Sequence, residues 1–228
     1  MCQHRLFSLL LKYSLGILLL FQTIVPLYGQ KDLLKPDTFW MGASGGISGS
    51  LVSFSPSVDQ SIYLGYYAGI EALHNNQNYT ALRMQLGVAH RGWKEAYTAD
   101  SNKKFSMALN YVEATFLSHL YYPIQSIFVG VDLGPSVGYL FNYQQRKEGA
   151  SFSEQEQHRY AAPINGRFSW GIKGGPVIYL QKGKNTVMLS AHAYYGLHNI
   201  YPTKVSDVYS QASEVALTIT GSYFFRLK

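Results

Sequence analysis

The feature that most constrains this chain is a long run of alternating residues between Tyr111 and Phe141. From Ile127 onward, aliphatic and aromatic residues occupy one parity, and glycine, serine and Asp132 occupy the other. A period of two is typical of a β-strand with one apolar and one polar face. The run covers roughly 15 residues, about three times the common strand length of soluble sheets. Such a strand is expected in a transmembrane β-barrel, whose apolar face contacts lipid and whose polar face lines the lumen.

The same alternation recurs along the chain, and no segment has a convincing helical period. Eight segments are predicted as strands: Phe39–Ser53, Ser61–His74, Asn78–Lys94, Phe105–Tyr122, Ser126–Gln144, Tyr160–Leu180, Asn185–Tyr201 and Ser213–Leu227. Short connections at Asn75–Gln77, Pro123–Gln125 and Gln181–Lys184 alternate with longer polar ones at Phe54–Gln60, Glu95–Lys104, Gln145–Arg159 and Pro202–Ala212. The pattern predicts an all-β, eight-stranded, antiparallel up-and-down transmembrane β-barrel, with both termini in the periplasm.

Alternation also predicts that the charged residues in the middle of the strands face inward, because a cation facing lipid at the bilayer centre costs about 2–4 kcal/mol. The predicted lumen network consists of Glu71, Arg83, Glu113, Asp132, Lys173 and Arg226, with Arg91 and Arg167 toward strand ends. A barrel of eight strands is just wide enough for side chains to fill it. Buried charges also require partners. We therefore interpret the network as a charge-paired core that closes the lumen, and a narrow ion path is the alternative.

The first 30 residues have the features of a secretory signal peptide. Arg5 and Lys12 precede an apolar core that ends before Pro26, and that core is too short and too often interrupted for a membrane helix. The predicted organisation is therefore a signal peptide over residues 1–30 and a barrel domain over residues 31–228. Cys2 is the sole cysteine, so the mature chain has no disulfide, thiol nucleophile or thiolate metal site.

Composition and motifs argue against several other functions. The net charge of +6 is modest and dispersed, which does not indicate nucleic-acid binding. The histidines are scattered, so we predict no metal site and no cofactor. Ser190 and His192 share the inward parity of one strand, but no third orienting residue accompanies them. We therefore predict no catalytic residues.

Four stretches have features of a known family: Gly65–Ile70, Met84–Gly92, Tyr111–Leu117 and Val129–Leu140, most clearly at Tyr111-Val112-Glu113-Ala114 and Gly134-Pro135. These stretches resemble the PorT-like outer-membrane β-barrel proteins of Bacteroidetes. Thr115 replaces a usual proline, and Gly87 stands near a usual acidic position. The resemblance implies a barrel in the outer membrane surrounded by its lipids, and a role in secretion or envelope assembly with protein partners from that machinery.

Three functions are compatible with these observations. The first is a non-enzymatic component of the outer membrane that supports secretion or assembly, or that engages partners through its longer loops. The second is a small passive pore. The third is a secreted soluble barrel that binds an apolar ligand, which would require the apolar faces to point inward and would leave Arg83, Glu113 and Asp132 outside.

Overall fold

The computed structural model describes residues 37–96, 103–125, 127–149, 152–164, 166–201 and 209–227. The strands are β1 (Thr38–Ser55), β2 (Gln60–Ser61), β3 (Tyr63–Gln77), β4 (Thr80–Glu95), β5 (Lys104–Ile124), β6 (Ile127–Glu148), β7 (Phe168–Lys182), β8 (Asn185–Gly196) and β9 (Gln211–Arg226). One short helix, α1 (Glu154–Tyr160), lies between β6 and β7. The predicted signal peptide lies outside the described residues.

The long strands form a closed antiparallel ring. Starting from β4, the order is β3, β1, β9, β8, β7, β6 and β5, and β5 pairs with β4 to complete the circuit. β2 is a two-residue piece that pairs with the far end of β4, beside the start of β3. Pairing of Trp40 with Arg226 places the beginning of β1 and the end of β9 at the same end of the ring. The predicted all-β antiparallel barrel of eight long strands is thus confirmed.

The two faces of the sheet have opposite character, as alternation predicts. Outward side chains are apolar and widely exposed: Leu64 is 73% exposed, Phe168 71% and Ile47 67%. Inward side chains are buried whether polar or apolar, and Arg83 and Leu117 have no exposed surface. The ring therefore has an apolar outer belt around a packed interior, the arrangement of a barrel whose solvent is lipid.

The tight turns lie one to three residues later than predicted. They fall at Asn78–Tyr79, between Ile124 and Ile127, and at Gly183–Lys184. Tyr79 and Gln125 adopt positive φ values of 72° and 56°, a conformation usually signalled by glycine or asparagine. Because neither turn has glycine at that position, the turns were predicted at the nearby asparagine and proline residues, which are common in turns. We call this end of the barrel the turn end, and the opposite one the loop end.

Most other boundary errors lie at the loop end. The predicted absence of helix is wrong, because residues 154–160 form α1, and the predicted strand from Tyr160 begins only at Phe168. The seventh predicted strand ends at Gly196 rather than Tyr201. The expected alternation of short and long connections is nevertheless confirmed. Within the residues just given, no helix is long and apolar enough to cross a membrane.

Candidate functional site

The candidate site is the barrel interior, which side chains occupy in three layers. An apolar cluster at the turn end includes Trp40, Tyr121, Tyr179 and Phe224. A larger aromatic cluster occupies the loop end. Charged residues form the layer between them. A barrel of eight strands has room for little more than its own side chains, so each layer closes part of the lumen.

Arg83 is the centre of the charged layer. Its guanidinium forms salt bridges of 2.8 Å to Glu71 and to Asp132, and Nη2 donates a hydrogen bond of 3.2 Å to the Ser222 hydroxyl. Glu71 also accepts from the Gln85 amide at 2.8 Å, because the two residues are directly opposite on β3 and β4. Arg83 and Asp132 have no exposed side-chain surface. In this low-dielectric interior, the mutual pairing compensates much of the cost of burial.

Asp132 connects this group to two histidines. His119 Nδ1 lies 2.6 Å from one carboxylate oxygen, and His192 Nε2 lies 2.9 Å from the other, which also receives Arg83. The β5–β6 pairing places His119 directly opposite Asp132. Asp132 thus accepts hydrogen bonds from three strands, β4, β5 and β8, and ties them across the lumen. No group of histidine, cysteine or acidic residues in the described part of the chain could hold a metal ion.

Glu113 forms a second ionic group, nearer the loop end. Lys173 Nζ donates to Glu113 at 2.9 Å, and Arg91 Nη2 lies 3.0 Å from its other oxygen. The Arg91 guanidinium also lies over the rings of Tyr111 and Tyr194, at 4.9 Å and 4.3 Å from the centroids. These contacts stabilise a buried cation through ring faces as well as through a carboxylate. The group connects β4, β5 and β7.

The structure brings five of the six predicted network residues into these two ionic groups. Glu71, Arg83 and Asp132 form the first, and Glu113 and Lys173 the second. Arg226 lies apart, at the turn end, with its guanidinium 5.7 Å from the centroid of the Trp40 ring. Arg226 ends β9 and is not part of the charged layer.

Sequence reasoning did not assign the two histidines, Gln85 or Ser222 to the network, and it overlooked the buried Glu214. All of them have inward parity and are at most 4% exposed. Their inward parity could therefore have identified them as candidate members of the lumen network. Their partners depend on the register between strands, which the misplaced turns obscured.

Ser190 and His192 do not form a catalytic pair. The Ser190 hydroxyl shares a hydrogen bond of 2.8 Å with Thr220, and His192 binds Asp132. Both residues are about 1% exposed inside the barrel. Neither side chain reaches the lipid-facing rim, where a lipase would meet its substrate.

The loop-end layer is anchored by α1. Tyr160, its last residue, stacks on Phe105 with centroids 3.9 Å apart, and its hydroxyl donates to Glu95 at 2.7 Å. The helix begins with a capping box: Ser153 accepts from the Glu156 amide, and Glu156 accepts from the Ser153 amide. Glu156 also accepts from Lys103 at 2.9 Å. The sequence Ser-x-x-Glu at 153–156 is the signal that could have predicted this helix.

The Glu156 carboxyl is the titratable group on which this anchor depends. Its partial burial acts to raise the pKa, but the hydrogen bonds from the Ser153 amide and from Lys103 outweigh that effect and hold the pKa below its usual value. The carboxylate is therefore stabilised in its charged form.

A closed antiparallel ring with an apolar belt and a charge-paired interior defines an integral β-barrel membrane protein. Residues 30–201 match the family model of the outer membrane protein beta-barrel domain, and the chain belongs to that family. It is therefore an outer-membrane barrel.

The solved structure of one outer-membrane protein agrees with this fold. OprG of Pseudomonas aeruginosa is similar with a TM-score of 0.53 at 8% identity, over 85% of this chain and 97% of that one. Ail of Yersinia pestis, solved in complex with the heparin analogue sucrose octasulfate, has a TM-score of 0.41 at 12% identity, over 82% and 99%. A search of curated proteins finds no match.

Proposed function

We propose that this protein is a non-enzymatic component of the outer membrane that acts through its surfaces rather than through its lumen. The observation that supports this most is the filled interior, where two aromatic and aliphatic clusters enclose a layer of paired charges. Solute passage would require Arg83, Asp132 and Glu113 to exchange short contacts for water. The soluble ligand-binding alternative needs the reverse arrangement of faces, with apolar residues inside and these charges outside.

The role that fits such a barrel is support of protein secretion or envelope assembly, as the resemblance to PorT-like barrels implies. In this proposal both termini lie in the periplasm, since short turns are typical of the periplasmic end of outer-membrane barrels. Partners then meet the loop end through Glu95–Lys104, Gln145–Arg159 and Pro202–Ala212. Loops on a rigid barrel are suited to such contacts because they vary without disturbing the strands.

The proposal is tested by comparing secreted and periplasmic proteomes of the native host with and without this gene. We expect secreted cargo to accumulate in the periplasm of the deletion strain and to be restored by the wild-type chain. A complementing variant with the 145–159 segment replaced by a short turn should insert but fail to restore secretion. An unchanged set of secreted proteins in the deletion strain would contradict the secretion role.

A further inference from the structure

β4, β5 and β6 continue past the apolar belt at the loop end, and their outward residues line up in rows. Residues directly opposite on neighbouring strands share one face of the sheet. The last apolar row consists of Val88, Val112 and Tyr139, which are 36%, 44% and 40% exposed. The next outward row toward the loop end, two residues away on β4 and β5, is polar and consists of His90, Asn110 and Asn142. On β4 and β5 the edge of the apolar belt therefore lies between these two rows, and β6 has one further exposed apolar residue, Phe141, between Tyr139 and Asn142.

Beyond that edge lies a cationic row. Lys94 on β4 and Arg146 on β6 are each opposite Ser106 on the intervening strand β5, so the three residues share the outer face. Strands are spaced by about 4.8 Å, which places the Cα atoms of the two cations roughly 10 Å apart. Two long side chains at that separation can reach the same small group.

The residues on the outer surface between the two cations have small side chains. Gly92 and Ala108 are paired one step nearer the membrane, and Ala108 and Ser106 are half-buried on the central strand. The long side chains of Lys94 and Arg146 thus border a shallow depression with a hydroxyl in its floor. The Tyr63 side chain borders the same depression, because Lys94 lies over its ring and Arg146 interacts electrostatically with its hydroxyl.

The described contacts of the two cations are long. Arg146 Nε lies 3.8 Å from Glu148, in a pair whose side chains are 78% and 52% exposed. Lys94 Nζ lies 5.4 Å from the centroid of the Tyr63 ring. An exposed ion pair of this length contributes little, so both cations can bind an anion.

We propose that Lys94, Ser106 and Arg146 bind the phosphate of an anionic lipid head group in the leaflet at the loop end. The row lies four residues beyond His90, which is about 10 Å along the membrane normal for a strand tilted by roughly 40°. Lysine and arginine side chains extend back toward the membrane while their stems cover apolar surface. Basic groups at this level attract anionic lipids, and charge-assisted hydrogen bonds to phosphate are strong contacts for both cations.

Aromatic residues beside the row support the same placement. The Tyr63 hydroxyl lies 2.9 Å from His90 Nε2, and the His90 ring stacks on Tyr66 with centroids 5.0 Å apart. Aromatic side chains with a polar tip are typical of the interface between hydrocarbon and head groups. The cationic row is thus next to an interfacial aromatic cluster.

Lipid retention tests the proposal directly. The full-length protein is placed in nanodiscs of equal parts phosphatidylglycerol and phosphatidylcholine, extracted in mild detergent, and its retained lipids are counted by native mass spectrometry. We expect the wild type to retain phosphatidylglycerol preferentially and K94Q/R146Q to lose that preference roughly fivefold, a size set by two exposed charged contacts. K147Q is the matched control, because Lys147 is opposite Phe105 and lies over the Tyr160 ring on the inner face.

The outcomes separate the proposal from its alternatives. Loss in K94Q/R146Q with retention in K147Q supports it, provided that both variants keep the heat-modifiable gel mobility of a folded barrel. Equal preference in K94Q/R146Q and wild type overturns it. Loss of the wild-type preference in millimolar inorganic phosphate would also overturn it, since the site would then bind free anions rather than a lipid.

Discussion

At the scale of single residues, Arg83 determines whether the interior charges are compensated. One guanidinium binds Glu71, Asp132 and Ser222, and the two carboxylates come from strands on different sides of the lumen. Removing one partner of a buried ion pair leaves an uncompensated charge in a low-dielectric interior, which costs far more than losing an exposed pair. The network therefore contributes most to stability as a complete set.

Replacing Arg83 by methionine tests this dependence. We expect R83M to lower the free energy of unfolding by about 3–5 kcal/mol, because Glu71 and Asp132 stay buried without their cation. R83M/E71Q should regain part of the loss. The measurement is urea unfolding in phosphatidylcholine vesicles, followed by tryptophan fluorescence. The exposed arginine variant R146Q is the control, expected within about 0.5 kcal/mol of wild type. Equal unfolding midpoints for R83M and R146Q would refute the dependence.

Close approach of backbones makes another single position sensitive. A Cβ atom on Gly134 of β6 would overlap the carbonyl oxygen of Phe116 on β5, whereas one on Gly221 of β9 would meet nothing within 4 Å. We expect G134A to destabilise the barrel by about 1–3 kcal/mol through overpacking, and G221A to be nearly neutral. Folding yields into vesicles, read from heat-modifiable gel mobility, compare the two. A G134A barrel as stable as G221A would show that β5 and β6 have more freedom than this geometry allows.

At the scale of elements, α1 holds the loop-end aromatic layer in place. Its capping box and the Lys103 contact both use the Glu156 carboxylate. The hydrogen bonds that depress the pKa of this carboxyl stabilise the folded helix only while the group is charged. The contribution is therefore fully present above the unfolded value of about 4.3. It is lost as the pH falls from there through the lower folded pKa.

This linkage predicts local opening at acidic pH. Hydrogen exchange of residues 154–160 should accelerate as the pH drops below about 4, after correction for the intrinsic pH dependence of exchange. E156Q should show faster corrected exchange already at neutral pH. E154Q is the control, since Glu154 occupies the same first turn but makes neither of those contacts. Unchanged corrected exchange in E156Q would mean that contacts other than those of the Glu156 carboxylate hold α1, such as the Tyr160 stacking and the Arg159–Glu95 pair.

The misplaced turns separate what could be predicted of this fold and site from what could not. Parity was predictable, since lipid and a packed lumen force opposite faces on every strand. Register was not. Pairing of Ile124 with Ile127 places His119 opposite Asp132, whereas the predicted turn at Pro123–Gln125 would have placed His119 opposite Val129. The two registers differ by three residues. Because three is an odd number, the predicted register pairs the inward His119 with the outward Val129, which contradicts the assignment of faces. Requiring inward residues to pair with inward residues would have excluded the predicted turn, and the need of Asp132 for a partner would then have favoured the register that brings His119 opposite it.

At the scale of the whole molecule, the outside and the inside are specified by different parts of the sequence pattern. The outward residues form the apolar belt, and any apolar side chain can serve at those positions because lipid is their neighbour. The other parity supplies charges and aromatics that must match one another across the lumen, as Lys173 on β7 matches Glu113 on β5. Sequence alternation identified five of the residues that meet, but the three-layered closure depends on loop-end residues such as Tyr160 and Tyr201, whose positions follow from irregular segments.

The closed lumen is tested most directly by single-channel recording in planar lipid bilayers. We predict that the folded wild-type barrel inserts without unitary conductance at neutral pH, and that R83M, with its broken network, gives at most brief openings. Insertion would be verified by recovering heat-modifiable protein from the same bilayer lipids. Steady unitary currents from the wild type, altered in size when Glu113 or Asp132 is neutralised, would contradict the account and identify the charged layer as an ion path.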